Sequence, residues 1–333
     1  MEEKSGRPFR PAWWLPGPHA QTIAGRYLRR PRSIAFRRER IDTPDGDFVD
    51  LDFPETGLSG GPVVLLLHGL EGSARRGYAI ETYLALARLG VRSVGLNFRS
   101  CSGELNRTAR FYHSGDTADI RLVAGILSTR FPGVPLGAIG FSLGGNALLK
   151  FLGEERGASP FSAAVAVSVP YDLGAGADAL DTTIMGRIYT GVFVRSLTAK
   201  AMAKGDLLDG LCDRARFRAA RSFRAFDDAA TAPLHGFSSA QDYYDRSSSS
   251  GYIGHIRTPT LLIHSLDDPF LPAASFPAAA ASSNPCISTL VTASGGHVGF
   301  IEGPPWRPGF WAEGRAAAFL AQKLHARNGG EAR

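Results

Sequence analysis

Gly140-Phe141-Ser142-Leu143-Gly144 is the stretch on which the fold of this 333-residue chain turns. The apolar run Pro135-Leu136-Gly137-Ala138-Ile139 leads into it, and a helix-forming run over residues 146–154 leaves it. Strand, tight turn and helix around a G-x-S-x-G pattern put the serine on a strained corner, with its hydroxyl exposed at the end of a strand. Glycine on either side lets the backbone turn without a Cβ clash. The bare pattern also occurs in ordinary surface turns, where glycine and serine are common. With these flanks, Ser142 is the candidate nucleophile.

A serine hydroxyl is a poor nucleophile near neutral pH unless a base takes its proton and a third group orients that base. An acid and then a histidine are therefore expected, each just after a late strand. The apolar run Thr260-Leu261-Leu262-Ile263-His264 is followed by Ser265-Leu266-Asp267-Asp268-Pro269, and Ile287-Ser288-Thr289-Leu290-Val291 precedes Ser294-Gly295-Gly296-His297. Asp267 and Asp268 compete for the acid, and either could instead be a solvated turn former or a helix N-cap. We assign the acid to Asp268, directly before the proline, and the base to His297. The oxyanion needs backbone donors after the nucleophile and after an early strand. Residues 62–67 read as a buried strand ending in His68-Gly69-Leu70-Glu71-Gly72, so the expected donors are the N–H groups of Leu70 and Leu143. His68 is read as a structural residue that fixes this loop.

Elsewhere strands and helices alternate. Residues 34–38 and 48–53 read as an opening hairpin around Thr43-Pro44-Asp45-Gly46, followed by a helix over 78–89, a strand at 93–96, a helix over 117–130 and, after the elbow, a strand at 163–169. Unbroken apolar strands between helices predict an α/β fold with a mainly parallel central sheet covered on both faces. From 170 to 256 the alternation stops, and helix-prone stretches at 185–194, 199–208 and 214–226 predict a helical cap over the carboxyl edge of the sheet. Met185, Ile188, Tyr189, Val192 and Phe193 are expected to form the cap's own core rather than a substrate wall. The organisation expected is an N-terminal extension (1–32), a first core part (33–170), the cap insertion (171–255) and a second core part (256–333). The polar group Arg99, Glu104, Arg107, Tyr112, His113 and Asp116 forms either a substrate-orienting loop or a hydrogen-bonded Ω-loop that supports the histidine loop. The acid-before-histidine order keeps His113 out of the triad.

Composition is that of an ordinary globular protein, 44% hydrophobic and 20% charged, with a net charge of +6. Arg26, Arg29, Arg30, Arg32, Arg37, Arg38 and Arg40 crowd near the start, a cluster that could touch phosphate or anionic lipid; a solvated face is the simpler reading. No nucleic-acid-binding module accompanies it, so no nucleic-acid partner is expected. Cys101, Cys212 and Cys286 are odd in number and widely spaced, giving neither a disulfide framework nor zinc-ligand spacing. His68, His113, His264 and His297 lack metal-ligand spacing too, so neither metal nor cofactor is expected. The first residues are polar and acidic, and apolar runs such as 163–169 fall far short of the roughly 20 residues a bilayer span needs. The expectation is a soluble, cytoplasmic protein.

Seven blocks carry a family resemblance: residues 10–22 (RPAWWLPGPHAQT), 97–104 (NFRSCSGE), 111–116 (FYHSGD), 140–146 (GFSLGGN), 232–237 (APLHGF), 267–270 (DDPF) and 295–300 (GGHVGF). Together the chain resembles the YheT-like branch of the α/β-hydrolases. That resemblance implies an α/β-hydrolase fold with a helical cap, hydrolysis of acyl esters with relatives acting on lipid esters, and a triad of Ser142, Asp268 and His297. Ser100 departs from it, standing where the family's Asn-x-Arg-Gly-Cys-Ser-Gly block has glycine. Eukaryotic members often carry an amino-terminal membrane anchor, which this chain is expected to lack. The expected activity is a serine hydrolase cleaving short- to medium-chain or lipid-like carboxylic esters through an acyl-enzyme. Acyl transfer on the same triad is the alternative within that chemistry. A non-catalytic binding module on the same fold is the alternative outside it, against which the intact Ser, Asp and His argue.

Overall fold

Apolar strands need cover on both faces, and the arrangement of the chain supplies it. The computed structural model describes residues 7–29 and 34–328. Within them β1 (Phe36–Asp42), β2 (Phe48–Pro54), β3 (Val63–Leu67), β4 (Arg92–Asn97), β5 (Leu136–Phe141), β6 (Phe161–Val167), β7 (Thr260–Ser265) and β8 (Ile287–Thr292) form one sheet in the order β1-β2-β4-β3-β5-β6-β7-β8. The pairings β1–β2 and β2–β4 are antiparallel, and every later pairing is parallel. Side chains alternate across β3: Val63, Leu65 and Leu67 enter one core and Val64 and Leu66 the other. On the first face lie α3 (Ala118–Arg130) and α4 (Leu143–Glu155), with Leu127, Leu148 and Phe151 fully or nearly fully buried. On the second lie α2 (Gly77–Ala87) and α12 (Trp311–Asn328), with Tyr83, Leu86 and Leu320. Burying each such side chain contributes about 1.5–3 kcal/mol.

Between β6 and β7 the described chain is helical: α5 (Leu173–Thr182), α6 (Ile184–Ala203), α7 (Arg214–Ala219), α8 (Phe223–Phe226), α9 (Ala232–Leu234) and α10 (Ala240–Ser247), joined by short irregular turns. The helices expected at 185–194 and 199–208 are largely one helix, α6. Thr183 caps its start by accepting from the Gly186 N–H at 2.9 Å, nothing in Arg195-Ser196-Leu197-Thr198 breaks it, and Gly205 at φ +55° ends it. A further correction concerns the core of this segment. Its buried cluster is built on Val194, Ala201, Leu208, Phe217 and Phe226, while Ile188 and Val192 point to solvent. α6 is apolar around most of its circumference, so periodicity could not select the buried stripe. Two further helices, α1 (Gly17–Leu28) and α11 (Ala278–Ser283), precede β1 and β8.

The arginine cluster is mostly consumed by ion pairs. Across the opening hairpin Arg38 faces Asp52 and Arg40 faces Asp50, each at 2.9 Å, and Arg29 is buried against Glu313 at 2.6 Å. Arg30 and Arg32 lie outside the described residues. None of the described helices is long and apolar enough to cross a membrane.

Candidate active site

Four strand ends meet at the carboxyl edge of the sheet. β5 ends at Phe141, Ser142 takes φ +51° and ψ −120°, and α4 begins at Leu143. The left-handed strain sits on the serine, since neither flanking glycine has positive φ. Glycine is needed beside it because the chain is crowded: a Cβ at Gly140 would lie 2.4 Å from the Gly144 carbonyl oxygen, and one at Gly144 would lie 2.5 Å from those of Leu67 and His68.

His297 and Asp268 converge on Ser142. Ser142 Oγ lies 2.9 Å from His297 Nε2, and His297 Nδ1 lies 2.8 Å from Asp268 Oδ2. With Nδ1–H donating to the carboxylate, Nε2 is left to accept the serine proton. The Asp268 side chain is wholly buried, and its other oxygen accepts from the Phe270 N–H at 2.9 Å. Asp267, the rival acid, points elsewhere: its Oδ1 accepts from Ser265 Oγ at 2.6 Å and from the Gly296 N–H at 2.9 Å. It ties the β7 turn to the histidine loop.

Leu143 stands at the first position of α4, where backbone N–H groups have no intrahelical acceptor. The β3 loop comes close from the other side, for a Cβ on Gly69 would lie 3.2 Å from Ser142 Cβ. His68 is fully buried below it; the Phe98 N–H donates to Nε2 at 3.2 Å, which leaves Nδ1–H to donate to the Gly69 carbonyl at 2.7 Å. Burial pushes this imidazole down to about 3, so it stays neutral. Beyond Leu70, Glu71 sits at φ +53° and fastens the loop to α6: its carboxylate accepts from Lys200 Nζ at 2.8 Å, from Tyr112 OH at 3.0 Å and, in a short bond, from Ser196 Oγ. A cavity of about 30 Å³ beneath α6, lined in part by Glu71, Tyr112 and Lys200, has room for a water.

Several residues that sequence reasoning did not single out hold the histidine loop. The His297 N–H donates to Thr22 Oγ1 at 2.9 Å, the Gln21 amide pairs with both backbone groups of Ile301 at 2.8 and 3.1 Å, and Arg29 donates to the Gly299 carbonyl at 2.9 Å. Ser168, at φ +51° after β6, accepts from the Val298 N–H at 3.0 Å. Val298 and Phe300 themselves sit at φ +54° and +45°, so this loop is strained on both sides of Gly299. The 10–22 block was visible as a family block, but the partner of Gln21 and Thr22 lies some 275 residues away in sequence. Over the imidazole, Phe270 stacks on His297 at 4.3 Å, Tyr189 of α6 packs on Phe270 at 4.7 Å, and His19 Nδ1 meets Tyr189 OH at 3.1 Å.

The Arg99 loop is a brace. Arg99 is buried among Asp119, Asp45 and Asp47 at 2.8, 2.7 and 3.1 Å, and Ser100 adopts φ +62° with its hydroxyl bonded to Asn106. These contacts support the opening hairpin, while Tyr112 reaches the loop after β3 through Glu71. His113 packs against His235 at 4.5 Å, and burial pushes its imidazole down to about 3.

Residues 62–304 match the alpha/beta hydrolase fold family. The Escherichia coli (strain K12) candidate esterase YheT is 36% identical over 98% of this chain and 97% of its own. The chain belongs to the YheT-like branch of the α/β-hydrolases. This α/β-hydrolase is also 29% identical to the phospholipase ABHD3 of Mus musculus, over 89% of this chain and 74% of that one. Among solved structures, the Pyrococcus furiosus esterase Pf2001 superposes with a TM-score of 0.56 at 16% identity, over 88% of this chain and 93% of that one, a likeness of fold.

Proposed function

We propose that the protein is a serine hydrolase of carboxylic esters. The observation that carries this reading is the unbroken hydrogen-bond chain from Ser142 through His297 to buried Asp268, next to the α4 N-terminus. Ser142 Oγ attacks the acyl carbon while His297 Nε2 takes its proton. Asp268 orients His297 and stabilises the imidazolium, and the Leu70 and Leu143 amides receive the oxyanion. His297 returns the proton to the departing alcohol, and water then cleaves the acyl-enzyme by the same route. The names of YheT as an esterase and ABHD3 as a phospholipase support an acyl ester, including lipid esters, as the substrate class.

The test is a panel of p-nitrophenyl esters from short to long acyl chains, run on the wild type and on Ser142→Ala. Turnover should fall by about 10⁴ to 10⁶ in the variant. A fluorophosphonate should label Ser142 in the wild type. Label on another residue, or full turnover by Ser142→Ala, would remove the assignment.

A further inference from the structure

α6 has two faces with different tasks. Tyr189 and Phe193 look inward, both onto Phe270, the ring that stacks on His297. One helical repeat apart on the opposite side, Ile184, Ile188 and Val192 are 78%, 53% and 56% exposed. α1 bears a similar stripe: His19, Ile23 and Tyr27 share one side, with Ile23 42% and Tyr27 71% exposed. The two helices meet where His19 contacts Tyr189. Exposed apolar residues grouped in this way mark an interaction surface, unlike the scattered ones any protein shows.

The charges around the stripes say what kind of partner fits. Neither α1 nor α6 contains an aspartate or glutamate, and Arg26, Arg187 and Arg195 are exposed beside the apolar residues. An open cleft of about 560 Å³ next to α6 is lined by Arg187, Arg216 and Arg221, with Asp181 the one acid among its lining residues. A second copy of this chain meeting the face by two-fold symmetry would set this basic surface against itself. Apolar side chains flanked by arginine suit the headgroup and acyl boundary of an anionic bilayer.

We infer that the outer faces of α1 and α6 form a docking surface for an anionic lipid bilayer, with the arginine cleft taking a phosphate-bearing headgroup. Docking there sets the inner face of α6, and with it Phe270 and His297, over the membrane source of an acyl ester. This deepens the ester-hydrolase reading, on which it rests for its purpose. Binding is therefore measured in Ser142→Ala, so that it stands or falls apart from turnover.

Ser142→Ala protein should sediment with vesicles of phosphatidylcholine mixed with phosphatidylglycerol, more weakly with phosphatidylcholine alone, and progressively less as salt is raised. Adding Ile188→Glu with Val192→Glu should weaken binding to the mixed vesicles by about a hundredfold, because burial of two apolar side chains is lost. Adding Arg187→Gln with Arg195→Gln instead should weaken it by about thirtyfold while leaving the phosphatidylcholine result unchanged. All four positions are exposed, and unaltered thermal melts would show that both variants fold. The inference is overturned if Ser142→Ala fails to sediment with the mixed vesicles, or if both variants bind as it does. It is overturned equally if the protein forms a concentration-dependent dimer that Ile188→Glu with Val192→Glu abolishes, since the face would then belong to a second copy.

Discussion

Asp267 and Asp268 are chemically identical neighbours, and the fold gives them different work. Asp268 is buried against His297 Nδ1, so Asp268→Asn forces the imidazole toward the wrong tautomer and should lower kcat by roughly 10³ to 10⁴. Asp267→Asn loosens bonds to Ser265 and Gly296 and should cost about tenfold or less, a loss of loop order comparable to that of a removed cap. Steady-state kinetics on the two variants decide the matter, and the reverse ranking would move the acid to Asp267. The meeting of Ser142 and His297 was legible because strand, turn and glycine signals are local. Sequence could choose Asp268 over Asp267 only by its proline neighbour, since direction in space is not a local property. Thr22 and Ser168 were illegible for the same reason: each acts on the histidine loop from a distant part of the chain.

At the scale of elements, the parallel strands were readable because unbroken apolar runs have few other uses. β1 was read too early, at 34–38, since its residues Phe36–Asp42 are mostly charged and declare themselves only when Arg38 and Arg40 meet the aspartates of β2. The helical segment between β6 and β7 is the element whose motion matters most. We propose that residues 171–255 act as a mobile cap that sets acyl preference, because they interrupt the alternation of strands and helices and reach His297 through Tyr189 and Phe193 on Phe270. Its backbone amides should exchange hydrogen faster than those of β3, β5 and β7, and a covalent acyl analogue on Ser142 should slow that exchange. Exchange as slow as in the central strands, unchanged by the analogue, would make the segment a rigid wall. The Glu71 contacts to Ser196 and Lys200 tie any such movement to the loop carrying the Leu70 amide.

For the molecule as a whole, acid should be more damaging than the buried acids alone suggest. Burial holds His68, His113 and His235 each down at about 3, while in the unfolded chain they titrate near 6.5. The unfolded state therefore binds more protons between those values, so their contribution is full above about pH 6.5 and is lost as pH falls toward 3. Asp227, pushed up to about 6 by burial, acts in the opposite sense and offsets one of the three. Urea midpoints should drop between pH 7 and pH 5; an unchanged or higher midpoint at pH 5 would contradict this balance. The N-terminal helix makes a different point about what counts as the enzyme. The match to the hydrolase family begins at residue 62, yet Gln21, Thr22 and Arg29 grip the loop that carries His297. A chain shortened to begin at residue 34 keeps Ser142, Asp268 and His297 and the whole sheet. It should fold less stably, because Glu313 loses its buried partner Arg29, and should lose about a hundredfold or more in kcat while still folded, because the imidazole is no longer held on target. The smallest part of this chain that folds would then be shorter than the smallest part that works.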